Sequence, residues 1–365
     1  MIIALVGTPS AGKHTILEYL VAKHDFVRLD LARGAPSTAP SSLHTPADLG
    51  ALSLGEPTTF ASPDALLDYT TRNWQHNYVT TALSTHADVE PFLKRPFFLL
   101  VGVDGPLRSR FERERAKNAA LTLDAFVDAH DALLNGSVAP PAPSRADGAL
   151  AAPTPTQGKA PVGEVARLPT PSPAPTDLAR VLALAHVTVF NRFPTVAELY
   201  AHLDKLDLLD EQRLRPGWDM YFMTLASLAS HRSNCMKRRV GALLVRSKRI
   251  VSTGYNGTPR GTRNCNQGGC PRCNGPAKGG ESLNACLCLH AEENALLEAG
   301  KERIGSDSII YCNTCPCLLC SVKIVQCGVR EVVYNQSYSM DEASARVLEE
   351  GGVVLRQLHM PNLML

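Results

Sequence analysis

"CLCLHAEENALLEAG" (286–300) stands shortly before "YCNTCPCLLC" (311–320), and the two stretches hold six cysteines, one histidine and paired glutamates. His290-x-Glu292 followed by Pro316-Cys317-x-x-Cys320 has the spacing of a metal centre that activates water. Zinc takes four ligands in a tetrahedron, and a catalytic zinc keeps one place for water. His290, Cys317 and Cys320 supply three. Cys317 and Cys320 are i,i+3 at the start of a predicted helix, so their sulfurs face the same way, and Pro316 suits a helix start. The helix N-terminus and the metal both favour thiolate over thiol. Glu292 is then the catalytic residue: not a ligand, it accepts a proton from the water and returns it to a substrate nitrogen. A structural site more often closes with four Cys or His, which favours the catalytic reading.

Positioning these groups requires helices that start at the ligands and a strand between them. The pattern predicts an amphipathic helix in "WDMYFMTLASLASHRS", a hairpin in "VGALLVRSKRIVSTGYNG" turning near Ser247-Lys248, and a helix over 290–299. A strand "SIIYCN", a helix over 317–326, a strand "EVVYNQ", a helix "DEASARVLEEGG" and a strand "VVLRQL" follow. The expectation is α/β: a five-stranded mixed sheet with helices on both faces.

The first half also reads as α/β. "MIIALVG", "RPFFLLVGV" and "AHVTVFN" are strand runs; "KHTILEYLVAKH", "LRSRFERERAKNA" and "TVAELYAHLDKLD" have helical spacing. Residues 135–176 hold ten prolines and 35–63 hold five, with few large apolar residues, so both segments are expected to be disordered. The expected domains are 1–210 and 215–358.

Composition narrows the class. The 365 residues are 44% hydrophobic with a formal charge of +2, giving no general reason to expect a polynucleotide or membrane partner. Only 6% are aromatic, against an editor of single-stranded nucleic acid. The opening residues have no basic n-region and the chain no apolar stretch of about 18 residues. An intracellular protein, cytoplasmic or nuclear, is the expectation. All eleven cysteines lie between Cys235 and Cys327, which in a reducing compartment favours metal over disulfides.

The motifs "RSNCMKRRVGALLVRSKRIVSTGYNGTPRG", "CLCLHAEENALL", "TCPCLLCSVKIVQCGVREVVYNQSY" and "MDEASARVLEEGGVVLRQ" resemble the deoxycytidylate (dCMP) deaminases, within the zinc nucleobase deaminases. The likeness runs over about 215–358; "GYNGTPRG" with "HAEENA" is its most particular part. It implies hydrolysis of dCMP to dUMP and ammonia for thymidylate synthesis, and a homo-oligomer, commonly a hexamer, regulated by dCTP and dTTP. It places Asn256 against the substrate's sugar, with a tight-turn residue as the alternative, and Ala291 beside the substrate. It places Arg260 toward the phosphate and Asn294 as a brace of the site, with a helix-surface polar residue as the alternative for Asn294. The basic run 237–239 reads as a solvated face, with phosphate contact as the alternative. Cys315 departs from the superfamily pattern and reads as a small buried neighbour; Cys312 and Cys327 read as core.

The resemblance also implies a second, structural zinc as in phage-type members, matched by Cys235, Cys265 and Cys288. Cys273 fills the fourth place in this reading, Cys270 and Cys286 being alternatives, and six thiols are enough for two metals.

"GTPSAGKHT" follows a strand and opens a helix, the context of a phosphate-binding loop, with Gly7, Gly12, Lys13 and Thr15 as its key residues. His14 stands where Ser or Thr would hold magnesium, so it resembles the nucleoside monophosphate kinase variant, with Mg2+ entering with a nucleotide effector. Arg108, Arg110 or Arg113 would meet phosphate, and no Walker B aspartate is evident. The alternative function is therefore a nucleotide kinase.

Overall fold

The structure is a computed structural model that describes residues 1–32, 58–136, 176–278, 281–337 and 342–360. It divides into two compact units, Met1–Arg215 and Pro216–Leu365. The first unit runs β1 (Ile2–Gly7), α1 (Lys13–His24), β2 (Val27–Leu31), β3 (Thr58–Phe60), α2 (Pro63–Arg72), β4 (Tyr78–Thr80) and α3 (His86–Leu93). It continues with β5 (Phe98–Asp104), α4 (Leu107–Arg115), α5 (Leu123–Asn135), α6 (Asp177–Ala183), β6 (Val187–Phe190) and α7 (Val196–Leu206). The second unit holds α8 (Trp218–Ser230), β7 (Gly241–Arg246), β8 (Arg249–Tyr255), α9 (Pro271–Asn274) and α10 (Ala291–Ala299). After these come β9 (Ile309–Thr314), α11 (Leu318–Cys327), β10 (Glu331–Gln336), α12 (Glu342–Glu350) and β11 (Val354–Gln357).

In the first unit six strands lie in the order β3-β2-β4-β1-β5-β6, every pairing parallel. The continuous apolar runs of β1 and β5 are what a sheet buried on both faces demands. Ile3 and Leu5 face one hydrophobic cluster, Ile2, Ala4 and Val6 the other.

Most of the two proline-rich segments lies outside the described residues. Where residues 35–63 are described, the expectation of disorder is corrected: Thr58–Phe60 pairs with β2, and Ser62 caps α2 by accepting from Ala65 N. Three strand residues can hold here because a neighbouring strand supplies their partners, a contact that composition does not register. At the edges of 135–176, Asn135 ends α5, and the Thr176 hydroxyl accepts from Ala179 N to cap α6.

The second unit carries the site. Its sheet has the order β11-β10-β9-β7-β8, with β9, β10 and β11 parallel and β7 antiparallel to both its neighbours. Ser247 and Lys248 both take positive φ, closing the β7–β8 hairpin at the expected two residues. Alternation along β7 divides the core. Leu243 and Val245 pack with Phe222, Met223 and Ala226 of α8; Ala242 and Leu244 pack with Ala291 and Ala295 of α10 and Ile324 of α11. Cys312 is fully buried in this second cluster and Cys327 packs against it.

Two close approaches fix the depth at which α10 and α8 sit. A Cβ on Gly254 would come 2.0 Å from Ala291 O, and one on Gly241 would come 2.1 Å from Ala226 O. Glycine at both positions lets the helices lie directly on the strands.

Candidate active site

His290 and Cys317 are the N-cap residues of α10 and α11, both in extended conformation and neither used as a side-chain cap. Cys320 is in the first turn of α11, one residue nearer the helix start than an expected start at Cys317 would put it. Two helix N-termini therefore meet at one point, and their unpaired N–H groups favour negative charge there.

The His290 Nδ1 atom lies 3.3 Å from Cys317 Sγ and 3.4 Å from Cys320 Sγ. The three ligand atoms fall within 4.8 Å of one another. Ligands at about 2.0–2.3 Å from one tetrahedral zinc would sit about 3.3–3.8 Å apart. One imidazole nitrogen and two sulfurs at this spacing fit zinc with a place to spare. A hydrogen bond from Cys320 holds the Cys317 thiol down to about 4, and the bond to Cys317 raises His290 above its ordinary value.

Glu292 is 3% exposed on the first turn of α10. Burial pushes its carboxyl up to about 7, with the nearby His290 pulling the other way. It opens on a cavity of about 410 Å³ that His290, Ala291 and Cys317 also line. A carboxyl at this value can either hold or release a proton near neutrality.

The other candidates separate. Asn256 lines the cavity, and one site at each end of its amide is bound to the backbone: Oδ1 accepts from Val240 N at 2.8 Å, and Nδ2 donates to Arg238 O at 2.7 Å. Asn294 is half-buried and donates to Tyr255 O at 2.8 Å, bracing α10 against β8. Ala291 is fully buried and faces the cavity. Arg260 is exposed and is not among the lining residues. Instead Lys237, Arg238 and Arg272 line it, so two of the three basic residues at 237–239 face the cavity where the sequence suggested a solvated face. The signal missed was the proximity of Arg272, brought in by a loop 34 positions further on. Cys315 lines the cavity too, outside the His290 group, its thiol pushed up to about 11 by burial.

Cys235, Cys265, Cys273 and Cys288 form one group with sulfurs within 4.8 Å, and Cys270, Cys273, Cys286 and Cys288 form another. The structure thus gathers the four cysteines assigned to a second metal, and both alternatives with them.

In the first unit the carbonyls of 7–11 all accept from side chains. Lys13 Nζ donates to Gly7 O and Thr8 O at 2.8 Å each, and Asn191 Nδ2 donates to Ala11 O at 2.8 Å. Arg110 and Arg113 donate to Pro9 O and Ser10 O, both at 3.4 Å. These two arginines therefore brace the loop, while Arg108 is exposed and pairs with Glu112. Gly7 has φ +155 and would place a Cβ 1.9 Å from Val103 O; Gly12, at φ +105, caps α1. Thr15 lies in the first turn of α1. Asp104, at the end of β5 beside β1, accepts from the Thr8 hydroxyl at 2.6 Å and lies 3.4 Å from the buried Arg110. This aspartate lies in "VDGPLRSRFERE" (103–114), of which the sequence singled out only the arginines; the pairing of β1 with β5 brings it to the loop.

Residues 216–336 match the family model for the cytidine and deoxycytidylate deaminase zinc-binding region. A deoxycytidylate deaminase of Schizosaccharomyces pombe is 42% identical over 361 residues, 98% of both chains. The chain belongs to the deoxycytidylate deaminase family. A Saccharomyces cerevisiae deoxycytidylate deaminase is 42% identical over 81% of this chain and 86% of its own length. The Mycobacterium phage D29 deoxycytidylate deaminase is 39% identical over 33% of this chain and 95% of its own. The likeness to the S. pombe relative thus extends through both units, whereas a third of this chain matches nearly all of the phage relative.

Proposed function

We propose that the second unit hydrolyses dCMP to dUMP and ammonia, supplying dUMP for thymidylate synthesis, with His290, Cys317 and Cys320 holding zinc. The observation that carries the proposal is the buried Glu292 beside that ligand set, on a cavity with three basic residues at its wall. Bound zinc would supply Lewis acidity toward a water at its open place. Glu292 takes the proton from that water and delivers it to the pyrimidine, so that one water is consumed and the C4 amino group leaves as ammonia. The cavity wall at Ala291 and Thr314 borders the base, and Lys237 and Arg238 offer charge to a 5′-phosphate, while the Arg272 guanidinium is turned to Glu281 O, Lys278 O and Cys273 Sγ. The cavity's volume suits a mononucleotide.

As parts of the same proposal, dCTP activates and dTTP inhibits a homo-oligomer of up to six subunits. Leu297 on α10 and Leu319 and Val322 on α11 are exposed apolar side chains that fit an assembled rather than a solitary unit. For the first unit the proposal stops at holding nucleotide phosphates on residues 7–15, with magnesium as the nucleotide's counter-ion. The carbonyls turned toward Lys13, Arg110, Arg113 and Asn191 support that, and phosphoryl transfer has no comparable support.

The test is the loss of cytosine absorbance on dCMP, CMP and deoxycytidine, with a Glu292→Gln chain alongside. Turnover of dCMP that falls by about 10²–10⁴-fold in the variant, with zinc retained, is the expected result. A zinc-loaded chain that turns over none of the three would overturn the proposal.

A further inference from the structure

We propose that Cys235, Cys265, Cys270, Cys273, Cys286 and Cys288 hold a binuclear zinc–thiolate cluster beside the cavity, with Cys273 and Cys288 bridging the two ions. The two cysteine groups share these two residues and no others. Each ion then has four sulfurs: the bridging pair with Cys235 and Cys265 for one, the bridging pair with Cys270 and Cys286 for the other.

The spacing fits this division. Cys273 Sγ lies 3.6 Å from Cys286, 3.8 Å from Cys235 and 4.0 Å from Cys288, and Cys270 lies 4.0 Å from Cys286. Sulfurs at about 2.3 Å from a common tetrahedral zinc would be about 3.8 Å apart. A single ion would use one terminal pair and leave the other pair, one buried and one half-buried thiol, without a metal. Two ions use all six. Six thiolates against two divalent ions leave a charge of about −2, as does one zinc in four thiolates.

The surroundings fit as well. Met236 N donates to Cys265 Sγ and Leu287 N to Cys270 Sγ, both at 3.4 Å, while Arg272 Nη1 reaches Cys273 Sγ at 3.7 Å. Donors aimed at sulfur are what thiolate ligands attract. The hydrophobic cluster at the centre of this loop consists, among the described residues, of these six cysteines alone. With only one short α-helix and two 3₁₀ turns around it, the segment has no apolar core of its own to order it. Metal ligation provides the ordering energy that such small units otherwise lack. All six are free thiols, so no disulfide serves instead.

The experiment counts zinc in the full-length chain purified under reducing conditions and records its zinc X-ray absorption. Three zinc per chain are expected, one at His290 and two in the cluster. Two ions sharing a sulfur at about 2.3 Å each lie within about 4.6 Å, so a zinc–zinc scattering path inside that distance is also expected. Neither reading needs a variant to fold. Cys317→Ser should lose one zinc and keep the zinc–zinc path, whereas Cys286→Ser should weaken or abolish that path. Absence of the path in the unmodified chain overturns the cluster, as does stoichiometric iron in its place. A chain with two zinc that retains the path would support the cluster and count against the ion at His290, so failure here and failure of the deaminase proposal give different results.

Discussion

Asn256 separates two roles that a family motif cannot tell apart. A contact with the substrate's sugar would use the second N–H or the second lone pair of the amide, whereas a brace needs only the two backbone bonds. In the structure Nδ2 donates to Arg238 O and Oδ1 accepts from Val240 N, and both partners' residues line the same cavity. Asn256→Ala therefore removes a brace. A buried polar group left without its partner costs about 1–3 kcal/mol. Both bonds are only part-buried. The lower end of the range applies, about 2 kcal/mol in all. For a unit of this size each kcal/mol shifts the melting midpoint by about 2–4 °C, so a fall of about 4–8 °C is expected. Because Arg238 and Val240 move with the loss, kcat/KM for dCMP should fall too, by tenfold or more. The assay pairs calorimetry of the second unit's transition with dCMP kinetics. A variant whose midpoint stays within about 1 °C of the parent while KM rises would refute the brace and restore the sugar contact.

Three other perturbations address the frame and its charge. Gly254→Ala would set a methyl 2.0 Å from Ala291 O and 2.5 Å from Ala295 N, both backbone atoms of α10. Overpacking of this kind costs about 1–3 kcal/mol, and since α10 carries Glu292, dCMP turnover should drop with the melting midpoint; unchanged kinetics would show that α10 can slide. Asp219 ties α8 to the sheet, accepting from Arg356 at 2.7 Å and from the Tyr311 hydroxyl at 2.7 Å, and these bonds, Arg356 foremost, hold its carboxyl below the ordinary value of 3.8. A carboxyl depressed on folding contributes stability above its unfolded value and loses it as pH falls through the folded one. With side chains about 38–39% exposed, Asp219→Asn should cost only about 0.5–1 kcal/mol at pH 7, and the gap from the parent should close in acid as pH falls below the ordinary value of 3.8 and through the folded one. Urea melts at several pH values would show it, and a gap that persists in acid would contradict the assignment. Phe222→Ala should cost about 3–5 kcal/mol, since Phe222 is buried between Trp218 and Tyr311, and near-parent stability in a urea melt would show that α8 is not held there.

The sequence was most legible where a pattern is local. Continuous apolar runs marked β1 and β5, alternation and a two-residue turn marked the β7–β8 hairpin, and ligand spacing marked His290, Cys317 and Cys320. What escaped was made by contacts distant in sequence. β3 and β4 have three residues each, too few for periodicity, and exist because neighbouring strands complete their hydrogen bonds. β2, "VRLDL", was not marked in the sequence, and its polar residues Arg28 and Asp30 pair with each other.

The same limit explains the site. Lys237 and Arg238 look like a solvated run when only their neighbours in sequence are considered, yet the Asn256 amide pulls the backbone of 238–240 against the cavity wall. The part Asp104 plays was not legible in "VDGPLRSRFERE", because its partner Thr8 is 96 positions away. The six upstream cysteines announce a metal by number alone. Which of them share an ion is a matter of how Cys235, ahead of β7, folds back on a loop that begins after β8. That return brings Cys235 within 3.8 Å of Cys273, and through Cys288 it reaches the strand-like entry to His290, where Leu289 pairs with Gly257. The cysteine loop and the residue that precedes His290 are thus tied to the same end of β8, a connection that no local pattern in the sequence records.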